Sequence, residues 1–310
     1  MKVLLFLIIF AFIQCYTLYG LTGELELVSV DPVTAIQTAI GKIISHEAFG
    51  ENLATLDPDN NLIYFVGTNL TSLKICLVSV SLQDGHVVDE IVLPYVSESF
   101  IGVGELCNFD RSTGDILVMG RDPAYNYYHN LIRVTPSTKT YKSLAIFNLI
   151  DFLGGAYTYD YKNGIQWIQL CINNSGQLDG RLIGFDGNTG QMVHNIEDSY
   201  FMSVLTFDPV TDLVWGLGLN PPDYKTRVLL TLDSSNANIS KVADIPNYFL
   251  LAPMVTINPD DRILYYYMEN RTSSDVHMVE ISMNDYSIVK DPVACHDLAN
   301  CVWVMEYDKD

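Results

Sequence analysis

The sequence predicts an all-β fold, a six-bladed β-propeller, and three periodic observations carry that prediction. An apolar residue followed by a turn former recurs at Leu56-Asp57, Phe109-Asp110, Tyr159-Asp160, Phe207-Asp208, Ile257-Asn258 and Tyr307-Asp308, at spacings of 53, 50, 48, 50 and 50. A second series runs out of phase with the first: Val30-Asp31, Val80-Ser81, Val134-Thr135, Phe185-Asp186, Leu232-Asp233 and Ile281-Ser282, at spacings of 50, 54, 51, 47 and 49. Between the landmarks lie short runs of branched and aromatic residues, such as Leu62-Ile63-Tyr64-Phe65-Val66 and Ile75-Cys76-Leu77-Val78-Ser79-Val80, which read as strands. A period of about fifty residues marks one supersecondary unit copied along a chain.

Each unit reads as a four-stranded antiparallel meander, a-b-c-d. The first landmark closes strand a and the second closes strand c. Turns such as Gln83-Asp84-Gly85 and Gly187-Asn188-Thr189-Gly190 then lead into strand d, with Asx and Gly supplying the positive φ that tight hairpins require. Radial repetition of such sheets is a propeller. The phase of the two series splits one blade between the chain ends: Cys301 to Tyr307 is its strand a, Tyr16 to Tyr19 its b, Glu24 to Val30 its c and Ala35 to Ile43 its d. Pairing the ends in this way covers an otherwise open sheet edge.

Ahead of the first strand, Met1-Lys2 and the apolar run Val3 to Ile13 have the length and charge of a signal peptide and fall short of a membrane span. The expected division is a signal peptide over 1–15, with cleavage as late as residue 20, and a single propeller domain over 16–310. A secreted, extracellular protein is therefore expected. Four sequons, beginning at Asn69, Asn173, Asn238 and Asn270, are then glycosylation acceptors, and three of them fall between strands b and c. Those loops share a face, here called upper, with the d-to-a crossings. Cys295 and Cys301 sit six apart across the last crossing, where a disulfide would clamp the closing strand, whereas Cys76, Cys107 and Cys171 read as buried small apolar residues.

The chain holds 17 basic and 37 acidic residues, a formal charge of −20. That charge repels nucleic acid and anionic membranes and suits basic proteins or divalent cations. No cofactor is expected. Nucleophile-elbow, phosphate-loop, zinc-protease and calcium-hand patterns are absent, and the six histidines are scattered, with His46 and His296 in d-to-a crossings near the channel mouth.

Aligning the blades on the first landmark places Asn52, Glu105, Gly155, Ser203, Pro253 and Trp303 five residues upstream of it, where strands a begin. Gly104-Glu105-Leu106-Cys107-Asn108-Phe109-Asp110 resembles the Gly-Glu-x-Pro-x-Trp-Asp start of the six-bladed gluconolactonase and regucalcin family. The resemblance implies a divalent cation such as calcium in the channel, held by Glu105 with Asn52 as a second oxygen ligand, and Asp151 or His296 nearby. The other four positions carry no carboxylate or amide, Leu106 stands in place of the family's Pro, and calcium wants six to eight oxygens.

Two residues before the landmark stand Thr55, Asn108, Thr158, Thr206, Thr256 and Glu306; the four threonines read as polar groups satisfying neighbouring backbone near the axis, whereas the Glu306 carboxylate either receives a donor from the next blade or binds a cation. Five crossings deliver an aromatic, namely Phe49, Phe100, Phe152, Phe201 and Phe249. Each ring either plugs a gap between blades or joins an aromatic cuff suited to sugars or peptide side chains. Tyr125, Tyr127 and Tyr128 in the b-to-c loop of the second blade extend that surface. The functional expectation is a binding or scaffold module that takes a protein or carbohydrate ligand on the upper face, with a lactonase-like, metal-dependent hydrolase as the alternative.

Overall fold

The computed structural model describes residues 16–22, 24–48, 54–94, 106–121, 128–148, 152–153, 156–174, 177–222, 226–245, 248–270, 276–289, 293–295 and 302–309. They form six antiparallel sheets, the six-bladed propeller expected from the periodicity. The first strands, β1 (Tyr16–Thr22), β2 (Glu26–Val30) and β3 (Gln37–Lys42), share a sheet with the last, β26 (Val302–Lys309), in the order β26-β1-β2-β3. Leu18 pairs with Tyr307 on one side and with Val30 on the other.

The first complete blade holds β4 (His46–Ala48), β5 (Ala54–Asp57), β6 (Leu62–Asn69), β7 (Lys74–Ser81) and β8 (Val87–Val92), and the second β9 (Leu106–Asp110), β10 (Asp115–Arg121), β11 (Tyr128–Thr135) and β12 (Thr140–Asn148). The third holds β13 (Phe152–Leu153), β14 (Tyr157–Asp160), β15 (Ile165–Asn174), β16 (Gln177–Asp186) and β17 (Met192–Glu197). The fourth consists of β18 (Val204–Asp208), β19 (Leu213–Leu219), β20 (Arg227–Asp233) and β21 (Asn238–Ile245), and the fifth of β22 (Tyr248–Asn258), β23 (Ile263–Asn270), β24 (Val276–Ser282) and β25 (Val293–Cys295). In the first and third blades the inner strand comes in two pieces, β4 with β5 and β13 with β14, both paired to the same neighbour. In the fifth it is one strand with a register shift between Leu250 and Val255. Among the described residues no helix is long and apolar enough to cross a membrane.

Burial explains the alternation of strand composition. Strands b and c lie inside a stack of sheets with both faces covered, so β6 and β7 are apolar almost throughout and buried along their length. Strands d lie at the rim, and β8 and β17 alternate between covered and exposed residues. The core is accordingly divided among the gaps between blades: Leu27, Ile63 and Val80 pack between the split blade and the first, Leu77, Ile116 and Val134 between the first and second, and Trp167, Leu182 and Leu232 between the third and fourth. Each fully buried large aliphatic side chain contributes about 1.5–3 kcal/mol. Around the axis the inner strands touch in sequence, β5 to β9, β9 to β14, β14 to β18, β18 to β22, β22 to β26 and β26 back to β5.

The landmarks are one turn used repeatedly. Asp57, Asp110, Asp160, Asp208 and Asn258 each accept a hydrogen bond on the side-chain oxygen from a backbone N–H two or three residues on, and Asp31, Ser81, Asp186, Asp233 and Ser282 do the same at the other series. Thr135 is the exception: Pro136 opens a 3-10 turn there with no side-chain cap. Four residues after every one of these eleven landmarks the backbone is left-handed, with φ between 54° and 75°. The expectation that Gly and Asx fill such positions holds at Gly85, Gly114, Gly164, Gly190, Asn61 and Asp212, whereas Ala35, Lys139, Ala237, Arg262 and Tyr286 adopt the same conformation.

Candidate functional site

The inner strands bring the second predicted ring together. Thr55, Asn108, Thr158, Thr206 and Thr256 line an axial channel of about 130 Å³, with Arg111, Tyr161, Pro209 and Pro259 at its lower end. Thr55 Oγ1 accepts the Phe109 backbone N–H at 3.1 Å, binding one blade to the next. The Asn108 carboxamide donates to Gln166 Oε1 at 3.0 Å, and Gln166 in turn donates to the carbonyls of Thr158 and Trp167 at 3.0 and 3.1 Å. Thr55 thus satisfies neighbouring backbone, as expected of the ring, while Asn108 reaches backbone only through Gln166. The five side chains that line the channel are neutral hydroxyls and an amide, which offer hydrogen bonds. Glu306 stands at the equivalent register position of β26, paired with Tyr19.

Two of the acids that close inner strands are engaged sideways. Asp110 is bound by the guanidinium of Arg133, which also bonds Asp115 at 2.6 Å and reaches into the third blade to Gly187 O at 2.9 Å and Asn188 Oδ1 at 3.0 Å. Asp208 receives Arg262 of the next blade at 2.7 Å. Burial raises the Asp110 carboxyl, but hydrogen bonds from Ser112, Thr113 and Arg133 outweigh it and leave the group below the usual carboxylate range. Among the described residues no three His, Cys, Asp or Glu side chains are grouped to hold a metal ion.

At the upper end, the crossing from the third to the fourth blade is built around Asp198, which is 1% exposed. Its Oδ1 accepts the N–H of Tyr200 at 2.9 Å, its Oδ2 accepts that of Met202 at 2.7 Å, and burial nevertheless pushes its carboxyl upward. Gly180 supplies the room: a Cβ there would lie 2.2 Å from the Asp198 carbonyl oxygen. Phe201, at the apex, is half-buried with φ 48°. A non-glycine residue in that region stores strain of about 1–3 kcal/mol and persists only where surrounding bonds over-determine it.

A second polar cluster lies in the first blade. His46 Nε2 bonds Glu90 Oε2 at 3.0 Å, Nδ1 meets Ser45 Oγ at 2.9 Å, and the ring stands edge-on to Phe65. Asn69 donates to the same Glu90 oxygen at 2.8 Å, and this bond, followed by that of His46, holds Glu90 below the usual carboxylate range. His46 is thus buried and paired. His129, in β11, is buried as well. Cys76 and Cys107 are buried, and burial pushes the Cys76 thiol up to about 11.

Of the sequence-predicted site residues, Phe152, Phe249 and Tyr128 lie in β13, β22 and β11. Asn173, Asn270 and Cys295 lie in β15, β23 and β25, and Asn69 and Asn238 are exposed or nearly so at strand ends. Asn52, Glu105, Phe49, Phe100, Tyr125, Tyr127, Asp151, His296 and Cys301 lie outside the described residues, as do residues 1–15. Glu90 and Gln166 escaped sequence reading, because their partners His46, Asn69 and Asn108 are set by packing between strands far apart in the chain, whereas Asp198 bonds the backbone two and four residues on.

The fold is similar to that of TolB from Acinetobacter baumannii, with a TM-score of 0.57 and 10% identity over 94% of this chain. The chain spans 66% of the length of that TolB, just under two thirds. It is also similar to an oligogalacturonate lyase in complex with manganese, with a TM-score of 0.55 and 14% identity over 88% of this chain and 77% of that one. No protein-family model matches the chain, and no curated protein matches it. At such identities the likeness is one of architecture: the chain has the β-propeller fold.

Proposed function

We propose that the protein is a secreted, glycosylated binding module that presents a partner protein with the upper face of the propeller. The observation that carries this reading is the crossing at 198–203, where a buried carboxylate fixes two backbone N–H groups and holds Phe201 in a strained conformation. An aromatic held rigid before the partner arrives loses little entropy on binding, which is how affinity is gained on a preformed surface. Phe152 and Phe249 begin or nearly begin inner strands at the same end of their blades. The charge of −20 favours a basic segment as the partner.

Site-specific photo-crosslinking tests the reading. A photoreactive amino acid at position 201 of the secreted protein is expected to capture a discrete partner, and the same probe at Arg111, on the lower mouth, is not. Capture only from position 111, or a several-degree rise in melting temperature with one divalent cation that is lost in Glu105→Ala, would replace this reading with a channel-centred one.

A further inference from the structure

Three of the four sequons occupy one structural position. Asn69 and Asn270 are the last residues of β6 and β23, and Asn173 is the last but one of β15. In each case the asparagine lies across from the start of the inner strand. Asn69 pairs with His46, the first residue of β4, and Asn270 pairs with Tyr248, the first residue of β22. Asn173 follows Ile172, which pairs with Phe152, the first residue of β13. The blades concerned are the first, third and fifth, so the three positions alternate around the ring. Asn238 differs, because it opens the outer strand β21 at the lower end of its blade.

The environment of Asn69 fits a sugar. Its Oδ1 accepts the N–H groups of Thr71 and Ser72, both at 2.9 Å, which turns the chain outward. One hydrogen of Nδ2 is on Glu90 Oε2, leaving the other for replacement. Beside it Leu70 and Leu73 are 50% and 77% exposed, apolar surface that the non-polar face of a sugar ring would cover.

We propose that Asn69, Asn173 and Asn270 all carry N-linked oligosaccharides, forming a three-membered fence on alternate blades of the upper face. The proposal rests on the secretory reading above. Its chemistry is transfer from a polyprenyl-diphosphate oligosaccharide. The amide nitrogen forms a bond to the anomeric carbon, the carbon–oxygen bond to the diphosphate breaks, the diphosphate leaves, and the nitrogen gives up one proton. The remaining N–H of Asn69 stays on Glu90 and orients the first sugar. Because strand b lies only about 5 Å outward from strand a, the sugars border the channel mouth. They exclude a broad, flat partner surface and admit a single extended segment.

The test is peptide mapping by mass spectrometry of the full chain expressed in eukaryotic cells, after enzymatic deglycosylation in water labelled with heavy oxygen. All three asparagines are expected to appear as labelled aspartate. Thr71→Ala, Ser175→Ala and Thr272→Ala, which spare the asparagines, are each expected to remove the mass of one glycan from the secreted protein. Secreted, folded protein with any of the three unmodified overturns the fence and leaves the secretory reading standing. Protein held in the cytosol with all three unmodified overturns both.

Discussion

The imidazole of His194 stacks on the indole of Trp167, with ring centroids 5.2 Å apart and planes 14° from parallel. The two sit on the second and fourth strands of one blade, and the residue between them in register is Gly184. With no side chain there, the rings meet over its backbone. A Cβ on Gly184 would stand 3.1 Å from the Trp167 and Ile165 side chains and 3.2 Å from His194. Trp167 is fully buried and tied through Nε1 to Ser234 of the next blade at 3.0 Å, so it has nowhere to retreat. Gly184→Ala is expected to cost about 1–3 kcal/mol by overpacking, measured by chemical denaturation.

Gly180→Ala is expected to act on the binding crossing rather than on the core. The new methyl would meet the Asp198 carbonyl, a backbone atom that cannot swing aside. Phe201 should lose its fixed conformation, and partner capture at position 201 should fall while the melting temperature drops by a few degrees. Asp198→Ala, which removes the acceptor of the Tyr200 and Met202 N–H groups, should reproduce the loss. Unchanged capture in both variants would refute the preorganised crossing.

Arg133 joins two blades through Asp110, Asp115, Gly187 and Asn188. Asp110 is 2% exposed at its side chain, so removing the cation leaves a buried charge without a partner. Arg133→Met should cost about 3–5 kcal/mol, and adding Asp110→Asn should recover part of that loss, as a double-mutant cycle in denaturant would show.

Acid should unfold the protein before alkali does. Asp110, Glu90, Asp186, Asp233 and Asp285 are all held below the ordinary carboxylate range. Groups of that kind contribute stability that is fully present above their unfolded pKa of about 4 and is lost as pH falls through the lower folded value. Asp198 runs the other way: its raised carboxyl favours the folded state below about pH 4 and loses that contribution as pH rises through the folded value. Buried Asp110 outweighs the exposed members, whose contributions are screened. Melting temperature should therefore hold from neutrality down to about pH 5 and fall below about pH 4, and Arg133→Met should flatten the fall.

The fold was legible because the turns announce themselves. Asp57, Asp110, Asp160 and Asp208 bond their own following backbone, a local act that needs nothing from the rest of the chain. Strand b and c runs are legible for the same reason, since burial on both faces leaves an unbroken apolar signature. The site was less so. The threonine ring emerged from alignment of repeats, whereas Glu90 gathering His46 and Asn69, and Arg133 spanning two blades, depend on contacts between strands. No local pattern encodes those. Left-handed positions were legible only in part, because Ala35, Lys139, Ala237, Arg262 and Tyr286 take a conformation usually reserved for Gly and Asx. Ala35→Gly, at a half-buried turn position with φ 55°, is accordingly expected to stabilise the protein by about 0.5–1 kcal/mol, read from the denaturation midpoint.

That eleven corners follow one backbone path has a consequence for how the molecule can change. The shape of the lower face is set by main chain, and its character by whichever side chains the corners carry: a guanidinium at Arg262, a phenol at Tyr286, a bare methyl at Ala35. Corners can in principle be exchanged between blades, or rewritten one at a time, without disturbing the strands they join. The lower face is a fixed scaffold with replaceable decoration.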